Sequence, residues 1–460
     1  MVLSTHFRRF FETQSTILLP LAAGSAITVA LATNVSQNGF IATQTSIHKS
    51  SLEAHVESYS RDNQEQRPRL IFLGTGSSTG CPKPICIMKM HQDNNQATTE
   101  NGPSDALCNV SLQAIKGDPK NNKNYRNNPS LLIQHYDSKS ENYKNIVIDV
   151  GKTFRETALR WFPKYGISSL DAIILTHHHM DAAGGLDDVR GFQSIKWVED
   201  PPKKGEHNES TGADPLSPTS RPVRAPLPLY LSDFCRLNLQ SQFPWLLPRP
   251  EIVMPQQDQD RPYVERDVAS FNVVEFQNYT EIKLQFEDAN DADENGGFKV
   301  IPLPVWHGDD LISHGYAFTV QPNSSLHKPL NVLYISDIST MVPETLDFIQ
   351  KQLPPTDVLI VDSLLPYKPH PVHFSLEQAV DLADRIQPRL QTYLIGMSCD
   401  AFLPHDEMNA YLYDRYGGKV TMAHDGLVID LPAKSEQEIK RETLHETAEK
   451  QDVLLRVASL

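Results

Sequence analysis

The chain has only five cysteines in 460 residues: Cys81, Cys86, Cys108, Cys235 and Cys399. So sparse and odd a set is not a disulfide framework, and a reduced compartment is the simpler setting. Cys86 and Cys108 stand too far apart for a short zinc knuckle. They read as buried thiols, with a structural metal as the alternative. Positive charge is scarce as well: 42 Lys and Arg face 57 Asp and Glu, a formal net charge of −15. A surface this negative repels phosphate backbones at long range, which argues against a general nucleic-acid binder. The apolar run from Ile17 to Ala32 falls short of the roughly 20 residues that span a bilayer, and Pro20 and Gly24 interrupt it. A nucleotide cradle is also missing. Gly74-Thr75-Gly76-Ser77-Ser78-Thr79-Gly80 follows a short apolar strand, but no Gly-Lys-Ser/Thr closes the loop. Glycines here let the chain turn sharply beside a site.

What is present suffices for an ordinary globular core, with 39% hydrophobic and 22% charged residues. The length allows two or three domains, or one large α/β domain with insertions. Residues 1–66 stand apart. Arg8 and Arg9 precede the apolar run, and Glu12 is the one acid among the first fifty residues. A targeting leader or membrane anchor is expected there. An organellar transit segment (mitochondrion or plastid) or an anchor is preferred to secretion, although Ala30-Leu31-Ala32 resembles a cleavage site.

The folded part is expected over 67–432, with a charged helical tail over 433–460. Polar stretches near 88–128 and 199–226, the second proline-rich, read as loop insertions. Strands are expected at Leu70–Leu73, Ser130–Gln134, Asn145–Val150, Ile173–Leu175, Pro228–Leu231, Phe271–Phe276, Glu281–Phe286, Phe298–Pro302, Tyr316–Val320, Asn331–Ile335 and Val358–Val361. Helices are expected at Phe154–Phe162 and Ser375–Arg385. Strand groups mixed with helices fit a layered α/β domain. Asp291-Ala292-Asp293-Glu294-Asn295-Gly296 copies the first half of a calcium loop. Pro302 stands where its final Glu belongs, so it reads as an acidic turn.

The informative segment is Thr176-His177-His178-His179-Met180-Asp181-Ala182-Ala183-Gly184-Gly185-Leu186, directly after a strand. His177 and His179 are two apart and can face the same way in an extended turn. Neutral imidazoles with a carboxylate are the donors that zinc or manganese takes. Three further candidates stand in similar places: His307 just past a strand, Asp337 at a strand end, and His373 before a helix. Each alone is ordinary. Together, in this order, they point to a divalent-metal site.

These segments resemble the metallo-β-lactamase superfamily, which carries His-x-His-x-Asp-His after a strand. The nearer resemblance is to the cyclic-phosphodiesterase branch of bacterial phosphonate breakdown and its eukaryotic relatives. It is carried by Leu73–Ser78, Ile148–Glu156, Gly185–Arg190, Ser336-Asp337 and Ala423–Leu427. The resemblance implies a four-layer αββα sandwich with metal at one edge of two sheets. It implies one ion held by His177, His179 and His307, and a second bridged by Asp337 and held by Asp181 and His373. Ala182 stands where the family has a second-metal histidine, so the second site is expected to be weak, completed by water, or empty. The compact Cys-x-Cys-x-x-Cys zinc motif of some relatives is absent near Cys81 and Cys86, so that zinc-bound loop is expected to be lost.

The chemistry that follows is hydrolysis. A bound divalent ion lowers the pKa of water to about 7 and polarises a phosphoryl or carbonyl oxygen. Asp181 would orient the attacking hydroxide or act as base. His405 is the candidate proton donor or phosphate contact, because no histidine lies within Gly396-Met397-Ser398-Cys399. Arg190 is either a phosphate contact or a helix cap. The expected substrate is a small phosphodiester, cyclic ones included. Thioester or lactone hydrolysis, an RNA-processing nuclease and a degenerate metal-binding protein are the alternatives.

Overall fold

The computed structural model describes residues 67–93, 108–199, 220–247, 268–284, 286, 297–399 and 401–438. The expected leader, the acidic turn at 291–296 and most of the charged tail lie outside the described residues. Among those described, no helix is long and apolar enough to cross a membrane.

Strands in the first half are β1 (Arg69–Gly74), β2 (Ser130–Asp137), β3 (Asn142–Ile148), β4 (Ala172–Ile174), β5 (Ile195–Glu199), β6 (Ser220–Arg224), β7 (Leu227–Leu231) and β8 (Phe271–Glu275). The second half supplies β9 (Ile282–Lys283), β10 (Lys299–Trp306), β11 (Ile312–Val320), β12 (Leu330–Ile335), β13 (Val358–Asp362), β14 (Gln391–Ile395), β15 (Val420–Met422) and β16 (Val428–Asp430). They build two seven-stranded mixed sheets, in the orders β16-β1-β2-β3-β4-β7-β8 and β15-β14-β13-β12-β11-β10-β9. The last strand pairs antiparallel with the first, Leu70 opposite Ile429, so the chain closes on itself.

Side chains alternate across a strand, and β1 shows the consequence. Leu70 and Phe72 join the core between the sheets, with Leu131, Ile148, Tyr316, Tyr334 and Ile360. Ile71 and Leu73 face the other way, onto Phe154, Ala158, Trp161 and Phe162. Those four belong to α3 (Phe154–Tyr165), which follows α1 (Pro84–Asp93) and α2 (Asn109–Ala114) in the chain. The helix ends at Gly166, whose φ of 67° suits a residue without Cβ. The second sheet's outer face is covered likewise: Leu333, Ile335, Leu359 and Val361 meet Leu346, Ile349, Ala379 and Leu382.

The covering helices beyond α3 are α4 (Met180–Ala183), α5 (Asp233–Gln242), α6 (Pro343–Gln352), α7 (Leu376–Ile386) and α8 (His405–Tyr416). Two sheets packed face to face with helices outside both make the expected αββα sandwich.

Some expectations shift. Near 88–128, the described part is not all surface: Arg126, Asn127 and Asn128 are buried. The stretch near 199–226 begins and ends in β5 and β6, which pair as a separate two-stranded ribbon with Trp197 opposite Pro222.

Candidate metal centre

Four of the six predicted metal ligands sit just beyond the end of a strand, and the other two lie in or before a helix. His177 and His179 follow β4, Asp181 lies in α4, His307 follows β10, and Asp337 follows β12. His373 stands two residues before Ser375, which caps α7 with a full capping box. Parallel pairing sets the alignment. β3 with β4, and β12 with β13, run in matching register, so their C-terminal ends open on one edge.

Two overlapping groups of ligand atoms form there. His177, His179 and His307 make the first, and His307, Asp337 and His373 the second; within each, the atoms lie within 4.8 Å of one another. Ring centroids confirm the crowding: His177 to His179 4.6 Å, His177 to His307 5.2 Å and His307 to His373 4.9 Å. His177 and His307 are buried, whereas His179 is exposed at the rim. Asp181 joins neither group, although its buried carboxyl stands within electrostatic reach of Asp337, His307 and His373.

Outer partners fix which nitrogen each imidazole presents. His307 Nδ1 lies 2.7 Å from the Val372 carbonyl oxygen, an acceptor only, so Nδ1 carries the proton and Nε2 is free. His373 Nδ1 donates to Asp362 at 2.7 Å, which turns its Nε2 toward the site. For His177 the partner is a relay. Thr176 Oγ1 donates to Asp149 Oδ2 at 2.8 Å. Having given its one proton away, it accepts from His177 Nδ1 at 2.9 Å. His177 Nε2 is then a buried lone pair with no hydrogen-bond partner. Three imidazoles that turn Nε2 toward the site beside a carboxylate fit a divalent ion.

The charges agree. Burial holds His177 at about 3, so its ring is neutral and available as a ligand. Burial tends to push Asp337 up, but His177, His307 and His373 together hold it below its usual value. Asp181 rises to about 6, first through burial and then through the negative charge of Asp337. His373 differs: burial alone would lower it, but Asp362 overrides this and raises the ring to about 9, so its Nε2 holds a proton that an arriving ion would have to displace.

His405 falls elsewhere. It opens α8, its Nε2 meets Asn409 Nδ2 at 3.0 Å, and its ring lies 5.3 Å from His424. None of these described contacts is with the six ligands, and burial lowers it to about 3. A buried neutral ring with none of these contacts to the ligands does not suit the expected proton donor; it stands in the first turn of α8. Arg190 pairs with Asp187 at 3.2 Å, within the 3₁₀ turn Leu186–Phe192.

Asp362, Asp149 and Thr176 were not singled out as site residues. Their only sequence signal is position: Asp362 ends β13 and Asp149 follows β3, each closing a buried apolar run as the Ser336-Asp337 pair closes β12. A cavity of about 660 Å³ adjoins the ligand loops, lined by Asp233, Phe234, Asn278, Asp310 and His314 among others. The Phe234 ring lies 5.5 Å from His178.

Residues 132–272 match the family described as the metallo-beta-lactamase superfamily. That matched segment takes in His177, His179 and Asp181, whereas His307, Asp337 and His373 lie beyond it. Among individual proteins, it is similar to an octanoyltransferase of Porphyromonas gingivalis, 35% identical over 129 residues. That alignment covers 28% of this chain and 18% of the relative, so the chain spans under a fifth of the relative's length. Among solved structures, it is similar to a diphosphatase from the PhnP family, 24% identical with a TM-score of 0.48, over 80% of this chain and all (100%) of that one. It is also similar to a long-form RNase Z from yeast, 15% identical with a TM-score of 0.42, over 80% of this chain and 42% of that one.

Proposed function

We propose that the protein hydrolyses small phosphodiesters, cyclic ones included, with a divalent ion, zinc or manganese, held at the strand-end site. The observation that carries this reading is the convergence of His177, His179 and His307, with Asp337 and His373 beside them. A divalent ion lowers the pKa of a water it holds to about 7 and polarises a phosphoryl oxygen.

The chain's own residues do the rest. His177, His307 and His373 are locked by Thr176, Val372 and Asp362, so little reorganisation accompanies binding. Asp181, buried and shifted upward, is suited to take up a proton near neutral pH. The first group, three imidazoles, holds its ion tightly. The second lacks an imidazole at Ala182, and Asp181 stands outside its cluster, so its ion is held weakly. The phosphodiester class is supported by the nearer sequence resemblance, and the net charge of −15 disfavours long nucleic acids.

The test is turnover of bis(p-nitrophenyl) phosphate, a 2′,3′-cyclic nucleotide and a glutathione thioester by one metal-analysed sample. Phosphodiester turnover that needs added zinc or manganese is expected. Turnover of the thioester alone would replace this reading.

A further inference from the structure

The cavity beside the ligand loops carries charge of one sign. Asp233, Glu275 and Asp310 line it, and no Lys or Arg stands among its described lining residues. Glu275 is already paired with Arg236. Asp233 and Asp310 are exposed, and neither forms an ion pair with a described residue. Asp233 opens α5, where a negative charge also suits the helix N-terminus. Asp310 has no helix to serve: it lies in the loop between β10 and β11.

Two other walls suit a positively charged guest. The Phe234 side chain lines the same cavity and is 49% exposed, and an aromatic face attracts a cation. His314 enters from β11 and is 3% exposed. Its Nε2–H donates to Asn278 Oδ1 at 2.9 Å, and its Nδ1 has no partner. Burial lowers the ring to about 4, so it is neutral and Nδ1 is a bare acceptor. A buried acceptor without a donor is costly, and an N–H brought by a guest would relieve it.

Each wall is tied to the metal ligands. The His314 N–H donates to the Thr176 carbonyl at 3.1 Å, directly before His177. The His307 N–H donates to the Leu311 carbonyl at 2.9 Å, which closes the loop that carries Asp310. Phe234 meets His178. A phosphate held at the ligand histidines therefore has this cavity beside one of its two arms. At about 660 Å³ it falls within the size range of small-molecule pockets.

Resting on the phosphodiester reading above, we propose that this cavity binds one arm of the substrate and that the arm ends in a primary ammonium group. Asp233 and Asp310 accept its N–H donors as charge-assisted hydrogen bonds, and Phe234 covers its methylenes and charge. A trimethylammonium group fits less well, since it brings charge but no donor. A second anionic arm is repelled.

The test compares three diesters with the metal-loaded full chain: glycerophosphoethanolamine, glycerophosphocholine and glyceryl propyl phosphate, whose propyl arm is the neutral isostere of aminoethyl. Turnover is followed by phosphorus NMR. The aminoethyl diester should exceed the propyl diester about 10-fold in kcat/KM, with the choline diester between them. Asp233→Asn combined with Asp310→Asn changes two exposed side chains without changing their shape, and should bring the aminoethyl-to-propyl ratio toward one. Equal values for the two diesters in the unaltered chain, or an undiminished ratio in the double variant, would overturn the proposal. A choline diester that matches or exceeds the aminoethyl one would overturn the primary-ammonium assignment. If none of the three is turned over, the phosphodiester reading fails, and titration calorimetry with the same diesters decides the cavity separately. Tighter binding of the aminoethyl diester, lost in the double variant, would uphold it, and equal binding would strike it.

Discussion

Replacing Thr176 by Val tests the relay that orients His177. The two side chains have nearly the same shape, so packing is kept and only the hydroxyl goes. That hydroxyl makes two buried hydrogen bonds, 2.8 Å to Asp149 Oδ2 and 2.9 Å from His177 Nδ1. Asp149 keeps its bond from the Thr176 N–H at 2.8 Å. One carboxylate oxygen and one ring N–H are left unpaired where both residues are about 1% exposed. An orphaned buried polar group costs about 1–3 kcal/mol, so a loss of at least ~2 kcal/mol of stability is expected. The freed imidazole can also rotate or change tautomer. Losing such an outer partner lowers metal affinity by about 10–100-fold, or roughly 1.4–2.7 kcal/mol. Chelator competition followed by elemental analysis measures the affinity, and urea unfolding of the metal-free protein measures the stability. Thr176→Ser keeps the hydroxyl and should restore most of both. The reasoning is refuted if Thr176→Val holds its ion as tightly as the unaltered chain, or if Thr176→Ser is equally damaged.

His179→Ala should lose the ion of the first group and all hydrolysis; full metal content by elemental analysis at the histidine site would contradict the assignment. Ala182→His should raise the ions bound at the histidine site from nearer one toward two, read by titration calorimetry. Two ions of similar tight affinity in the unaltered chain would show that some other group completes the second site. Acid should destabilise the fold through its buried neutral histidines. Burial holds His135 at about 4, below the unfolded value of 6.5. The unfolded chain therefore takes up the proton first: stability is full above pH 6.5 and falls as the pH drops toward 4. At pH 5 this one ring accounts for about 2 kcal/mol by linkage. Comparing urea unfolding at pH 7 and pH 5, His135→Phe should lose that much less than the unaltered chain; an identical loss would show that the ring is charged in the fold.

Much of the sandwich was legible because period and burial agree. Ser130–Gln134 and Asn145–Val150 read as paired strands, and β2 and β3 pair there, Leu132 opposite Val147. The histidines were legible because His177, His179 and His307 follow strand ends and His373 precedes a capped helix. Helix α8 was not, since its buried positions are only His405, Met408 and Leu412, too few to print an apolar stripe. Gln391–Ile395 was missed as a strand because two of its five residues are polar, yet it pairs on both sides, with β13 and β15. Asp362 was invisible for another reason. Its role depends on β13 lying beside β12, Val361 level with Ile335, and on His373 folding back to it. The sequence holds the two residues but not the register. The cysteines posed the same difficulty on a larger scale, because only the closed fold brings the Cys399 sulfur to 3.9 Å from that of Cys86.

The rim of the site has one more property that no linear motif displays. Three strands leave their sheets there through left-handed backbone. Asp149, after β3, has φ 62°, and Asp337, after β12, has φ 51°. Gly396, after β14, has φ 76°. Residues with a Cβ disfavour this region, Asp less than most, and such strain persists where the surroundings over-determine it. The surroundings here do. Asp149 is held by two hydrogen bonds from Thr176, and Asp337 is enclosed by His177, His307 and His373. Gly396 cannot be replaced on steric grounds alone, because a Cβ would lie 2.2 Å from Asp362 Oδ1. That carboxylate is the one that holds His373. The left-handed exits thus do similar work at three places: each ends a strand abruptly and places a carboxylate, or the room for one, against an imidazole or against the threonine that holds one. The sheets supply the rigidity, and the exits convert it into ligand geometry.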